Sequence, residues 1–180
     1  MRIIFLDIDG VLNNQATRDQ FGMISNKNFL EEGLNTIITL CKTFGAKIVI
    51  HSSWRDDSHC VKEILKSQLG VFVIGLTDAR YVKLRSIAMW LYQNAFMVES
   101  FCIIEDDDII SDAINAHVFM NINDPETQRI INTFRSKIIW VNPEFGICIK
   151  DDSDKVTNQA EELLTTEVHP FVLSRLKQLS

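Results

Sequence analysis

Glycine and proline are scarce in this chain, with 7 and 3 among 180 residues. With 46% apolar and 23% charged residues beside them, that scarcity excludes collagen-like, low-complexity and disordered classes. Cysteine is sparse too. Cys41, Cys60, Cys102 and Cys148 stand far apart with no Cys-x-x-Cys pair, which fits neither a disulfide framework nor a zinc knuckle. Four reduced thiols in a cytoplasmic protein are the expectation. No apolar run reaches the roughly 18 residues of a membrane span, and the stretch ahead of Asp7 is too short for a secretory signal core. The net charge of −6 repels polyanions and argues against general DNA binding. GxxxxGK, GxSxG and GxGxxG are all missing, so P-loops, esterase nucleophile elbows and dinucleotide sites lose their usual signals.

What is present alternates between strand and helix. Arg2 to Asp7 is an apolar run rich in β-formers, the pattern of a strand buried on both faces of a parallel sheet. Asn28 with Glu31 suggests a capping box. Leu30, Leu34, Ile37, Ile38 and Cys41 then recur at helical spacing until Gly45 stops the helix. Lys47 to His51 follows as a second strand, completing a βαβ unit. A helix over about Asp57 to Leu69, a strand over Val71 to Ile74 and a helix bearing Leu84, Ile87, Ala88 and Leu91 continue the alternation. Phe101 to Ile104 is the next strand, and a short helix covers Ile109 to Asn115. Val118 to Ile122 and Ile138 to Val141 read as strands, with a helix opening at Asp124-Pro125 between them. Helices near Ser153 to Leu164 and Pro170 to Leu179 close the chain. Nothing marks a boundary, so one domain over residues 1–180 is expected, as a three-layer α/β sandwich with a mainly parallel sheet.

Ligands of open parallel sheets bind outside the carboxyl ends of the strands. Four polar groups fall there: Asp7-Ile8-Asp9-Gly10, Ser52-Ser53-Trp54-Arg55, Lys83, and Glu105 to Asp108. Carboxylates at i and i+2 leave a strand on one side, and an acidic cluster from a second strand end adds the hard oxygens that Mg²⁺ prefers. A hydroxyl and an ammonium supply the donor and the charge that a transferring phosphoryl group needs. Ser52 and Ser53 are not separable by spacing, since a one-residue shift of the strand end exchanges them. Arg80 or Arg85 competes with Lys83 for the cationic role. Trp54 reads equally as packing or as stacking on a base, and Arg55 as binding phosphate or pairing with acids. His51, His59, His117 and His169 show no ligand spacing and read as core or surface residues.

Asp7-Ile8-Asp9-Gly10-Val11, directly after an N-terminal hydrophobic strand, resembles the Asp-x-Asp-Gly-[Thr/Val] signature of the haloacid dehalogenase-like (HAD) superfamily. Ile48 to Ser52 resembles its second motif, Lys83 its third, and Ile103-Ile104-Glu105-Asp106 its acidic fourth. Ser52-Ser53-Trp54-Arg55, Lys83 with Ile87 and Trp90-Leu91, and Asn142-Pro143 leading to Gly146-Ile147 resemble the HAD domains of Swiss Army Knife RNA repair proteins. The resemblance covers about residues 1–165.

It implies a Rossmannoid fold and a Mg²⁺-dependent phosphatase in which Asp7 is the nucleophile and Asp9 the acid and base. Ser52 and Lys83 join them as catalytic residues, while Gly10, Ser53 and Arg55 bind substrate. Mg²⁺ is held by the Asp7 side chain, the Asp9 backbone carbonyl and Asp106, with Glu105 and Asp107 as competing ligands. Neither the Asn13 to Lys27 loop nor the Asp56 to Val82 stretch holds a large cap domain. The implied substrate is a phosphorylated nucleotide or an RNA end, with a small phosphate ester, a phosphotransferase reaction or a silent binding module as alternatives.

Overall fold

The computed structural model describes residues 1–22, 24–119, 121–168 and 176. Its centre is the strand β1 (Arg2–Leu6), in which Ile3, Ile4, Phe5 and Leu6 have no exposed surface. β2 (Lys47–Ile50), β3 (Val73–Leu76), β4 (Ser100–Glu105) and β5 (Ile138–Trp140) complete one sheet in the order β3-β2-β1-β4-β5, parallel throughout. β1 therefore lies between β2 and β4, with Leu6 level with Ile50 on one side and Ile104 on the other.

Alternate residues of the central strands feed two cores, as the twofold strand period requires. Ile4, Leu6, Ile48, Ile50, Cys102 and Ile104 pack on one face. They meet α2 (Glu31–Phe44), α3 (Ser58–Lys66) and α7 (Lys150–Thr165). Ile3, Phe5, Val49, Phe101 and Ile103 face the other way, onto α4 (Lys83–Gln93), α5 (Ile109–Asn115) and α6 (Pro125–Arg135). The expected three layers are there. Phe5 meets Trp90 and Phe101 edge-on at 5.6 and 5.9 Å between ring centroids, a favoured arrangement of aromatic quadrupoles. Among the described residues no helix is long and apolar enough to cross a membrane.

Several local expectations shift. The capping box falls two elements earlier: the Asn14 side chain accepts from the Thr17 N–H, and the Thr17 hydroxyl accepts from the Asn14 N–H. It opens a helix, α1 (Gln15–Phe21), inside the segment read as a loop. Asn28 instead lies in a one-turn 3₁₀ helix, Asn26–Asn28, and α2 starts after Leu30 with no side-chain cap. Glu31 and Glu32 compensate by facing the helix N-terminus.

β3 begins at Val73, because Gly70 to Phe72 forms the turn that enters it. Val118 to Ile122 supplies no strand among its described residues, since β5 occupies the free edge of β4. Phe119 is buried against α4, α5 and α6 instead. α7 starts three residues earlier than expected, at Lys150, and the segment Pro170 to Leu179 lies outside the described residues apart from Leu176.

All four cysteines are free thiols. Burial pushes Cys41 and Cys102 up to about 12 and raises Cys60 as well, whereas Cys148 is half-exposed. Because the thiolate is the nucleophile, iodoacetamide should label the folded protein at Cys148 first, and reach Cys41 and Cys102 only on denaturation. Mass spectrometry of peptides from native and urea-treated protein checks the order.

Candidate active site

Asp7 follows β1 and is nearly fully buried, its N–H donating to the Ile104 carbonyl of β4 at 3.1 Å. The strand period does not carry on to Asp9. Directly after Asp7 the chain turns, the Ile8 carbonyl accepting from Val11 and Leu12 at 3.3 and 2.8 Å. The expected alignment of the two carboxylates on one side is therefore replaced by divergence into two surroundings.

Gly10 makes the turn tight. Its φ of +76° favours glycine, and a Cβ there would lie 2.0 Å from Oδ2 of Asp106. Ile147 N–H donates to the Val11 carbonyl at 2.9 Å and Asn14 Nδ2 to the Phe145 carbonyl at 3.1 Å. The segment leading to Gly146-Ile147 thus holds the loop that carries both aspartates.

Lys83, the first residue of α4, brings the strand ends together. Its ammonium donates to Oδ2 of Asp7 at 2.9 Å, Oε1 of Glu105 at 2.8 Å and Oδ2 of Asp107 at 3.0 Å. Arg80 is not the cation here, being exposed and paired with Asp78; Arg85 lies over the Tyr81 ring at 4.6 Å. Glu105 Oε1 also accepts from the N–H groups of Asp106 and Asp107, each at 3.1 Å, which folds the acidic segment back over Asp7. Asp7, Glu105, Asp106 and Asp107 offer oxygens within 4.8 Å of one another.

This cluster is short of positive charge. Burial works against the Asp7 charge, and His51 and Lys83 overcome it, holding Asp7 at about 2. Burial pushes His51 itself down to about 4, so Lys83 is the cation that persists at neutral pH. Burial opposes the Lys83 charge as well, but Asp7 and Glu105 raise Lys83 above its ordinary value. Burial and then Asp7 repulsion push Glu105 up to about 9 and Asp106 up to about 6. Oδ1 of Asp7 and Oδ1 of Asp106 are buried with no hydrogen-bond partner among the described residues. Hard oxygens with unused lone pairs and a surplus of negative charge fit Mg²⁺. Asp9 contributes no side chain to this cluster.

The Asp9 carboxylate lies elsewhere, accepting from the Trp54 indole N–H at 3.0 Å and from Asn13 Nδ2 at 2.8 Å, with Arg18 Nη1 at 3.5 Å. Ser52 is fully buried and its hydroxyl accepts from the Trp54 N–H, capping the 3₁₀ turn Ser53–Asp56. Ser53 opens onto a cavity of about 570 Å³ beside Lys83, whose wall also includes Arg55, Tyr81, Asp112 and Asn115. Arg55 reaches that cavity, yet its guanidinium is committed to the carbonyls of His51, Ser52 and Tyr81. His51 is a core residue, as expected, with Nδ1 3.4 Å from Oε2 of Glu105.

Sequence reasoning missed Asn13, Arg18 and Tyr81. No spacing marks them, because their roles depend on where α1 and the turn before α4 are placed. The hydrogen-bonding role of Trp54 was equally invisible.

A family model described as the HAD domain in Swiss Army Knife RNA repair proteins matches residues 3–147. No curated protein and no solved structure gives a significant match.

The shifted carboxyls make stability depend on pH. Glu105 and Asp106 titrate higher when folded, so the stability they contribute is complete below their ordinary values of 4.5 and 3.8 and is lost as pH rises through about 9 for Glu105 and about 6 for Asp106. Asp7 titrates low, and its contribution is already complete above 3.8. In chelator, Tm should therefore fall between pH 6 and pH 9 by on the order of 5 °C, and Glu105→Gln should flatten that slope. Calorimetry at constant ionic strength measures it, and a Tm that rises across this window contradicts the assignment.

Proposed function

The chain belongs to the HAD domain family of Swiss Army Knife RNA repair proteins, and from that premise we propose that it is a Mg²⁺-dependent phosphatase working through an Asp7 phosphoenzyme. One observation carries the reading: Asp7 has one oxygen on the Lys83 ammonium and the other unpartnered beside Asp106. A carboxylate kept ionised, with one oxygen free of hydrogen bonds, suits a nucleophile toward phosphorus.

Mg²⁺ would be held by Asp7, Asp106 and the Asp9 backbone carbonyl, and when bound it neutralises charge between the carboxylates and the phosphate. The remaining steps belong to the chain. A carboxylate oxygen of Asp7 forms a bond to phosphorus as the bond to the leaving oxygen breaks, and Asp9 gives that oxygen a proton. Water then attacks phosphorus and passes a proton to Asp9, releasing phosphate and restoring the Asp7 carboxylate. Lys83 holds Asp7 in place, and Ser53 on the cavity wall donates to the phosphate, a role for which Ser52 is less well placed.

The space after Asp9 holds only the short α1 and one 3₁₀ turn among the described residues, so the cavity beside Lys83 stays open. An open site suits a bulky phosphate ester better than one that needs a lid to exclude water. We take the substrate to be a nucleotide or an RNA end handled locally in the cytoplasm, since a net charge of −6 disfavours holding a long polyanion.

The test is phosphate release from an aryl phosphate, nucleotides and 3′- or 5′-phosphorylated oligonucleotides. Release should require Mg²⁺, cease with EDTA, and drop on the order of 10⁴-fold in Asp7→Asn, whose amide is a poor nucleophile. Full activity in that variant ends the mechanism. Gly10→Ala probes the same centre from the backbone: a Cβ driven into Asp106 should weaken Mg²⁺ binding at least about tenfold and cost roughly 1–3 kcal/mol of stability. Titration calorimetry and urea melts separate the two effects.

A further inference from the structure

We infer that Trp54, with Asn13 and Arg18, is a positioning residue that aims the Asp9 carboxylate, an inference that rests on the phosphatase reading for its catalytic meaning. Two hydrogen-bond donors and one ion-pair partner converge on this one side chain. The Trp54 indole N–H takes Oδ2 at 3.0 Å, while Asn13 Nδ2 at 2.8 Å and Arg18 Nη1 at 3.5 Å take Oδ1. Each of the three is itself held. Trp54 is only 4% exposed and packs on Phe29 at 5.6 Å between ring centroids. Asn13 is fully buried and its Oδ1 accepts from the Gly10 N–H at 3.2 Å, which turns Nδ2 toward Asp9. Arg18 is carried by α1, whose first turn is closed by the Asn14–Thr17 capping box.

A buried indole has no face to offer a base, so the stacking role open to Trp54 in the sequence does not apply. Its N–H, however, is a donor with one partner, and that partner is the acid and base of the proposed reaction. Asp9 sits where the chain turns and strand pairing no longer fixes its side chain. A general acid must lie within hydrogen-bond reach of the leaving oxygen, and small misplacements cost large factors in rate. Trp54 touches no reacting atom and acts only through Asp9.

Leaving groups separate positioning from plain structural support. As the phosphorus–oxygen bond breaks, its electron pair goes to the leaving oxygen. An alkoxide must receive the Asp9 proton, whereas 2,4-dinitrophenolate is stable without it. Trp54→Phe keeps a ring against Phe29 and removes the N–H. In a Trp54→Phe protein that still unfolds cooperatively, kcat/KM for an alkyl phosphate should fall at least about tenfold more than for 2,4-dinitrophenyl phosphate, with the loss in kcat. Equal losses on the two esters make Trp54 merely structural and overturn the inference. Should Trp54→Phe fail to fold, Arg18→Gln on α1 takes its place, with an expected shift of about threefold in the same direction.

A second arm needs no turnover. Of the indole N–H signals from Trp54, Trp90 and Trp140 in ¹⁵N-labelled protein, the Trp54 signal should move in Asp9→Ala and exchange with deuterium faster. A signal that neither moves nor exchanges faster overturns the contact. Absence of turnover in the unaltered protein rejects the phosphatase reading, while this arm still decides whether Trp54 holds Asp9.

Discussion

Everything at the carboxyl edge of this sheet depends on a single ammonium. Four acidic side chains lie within 4.8 Å of one another, those of Asp7 and Glu105 buried, where repulsion is poorly screened, and Lys83 bonds to three of the four. Its position runs against the helix macrodipole, since a cation at a helix N-terminus is disfavoured and the first turn of α4 has no acidic residue. The carboxylates supplied by β1 and β4 outweigh that cost. Leu84, Ile87, Ala88 and Leu91 then anchor the helix in the core beneath, so packing of apolar side chains keeps the ammonium where the charges need it.

Two aspartates separated by one residue thereby acquire different chemistry. Asp7 joins a buried, charge-dense cluster with one oxygen on a lysine. Asp9 leaves that cluster for an indole, an amide and a guanidinium. Divergent surroundings are how one residue type takes two roles in one site, and here the divergence is produced by Gly10, which lets the backbone turn before the strand period could align the pair. The same glycine admits the Asp106 carboxylate into the space a Cβ would fill.

The central strands and the catalytic candidates were legible because each writes itself in contiguous residues. Ile3 to Leu6 and Phe101 to Ile104 are unbroken apolar runs that end in acids, and a strand buried on both faces leaves that trace. Helices α2 and α6 showed through apolar spacing and Asp124-Pro125. What stayed hidden depends on contacts between distant segments. Nothing in Asn13 to Lys27 distinguishes a capped helix from a loop, because α1 has no buried residue. Val118 and Phe119 look like a strand, yet whether they pair is decided by β5, which takes the edge of β4. Trp54 has the same apolar character whether its N–H meets Asp9 or nothing.

The strand order has a consequence during synthesis. β1 emerges first and is the one strand flanked on both sides by later segments, with β2 ending at Ile50 and β4 at Glu105. At about 5–20 residues per second, the ribosome takes on the order of 5–20 s to go from Asp7 to Glu105. Over that interval β1 has an unpaired apolar edge of the kind that templates aggregation. The nascent chain also carries Asp7 before Lys83 has been made, so the apolar strand that builds the centre of the sheet is at its most vulnerable before the charges at its end can be balanced.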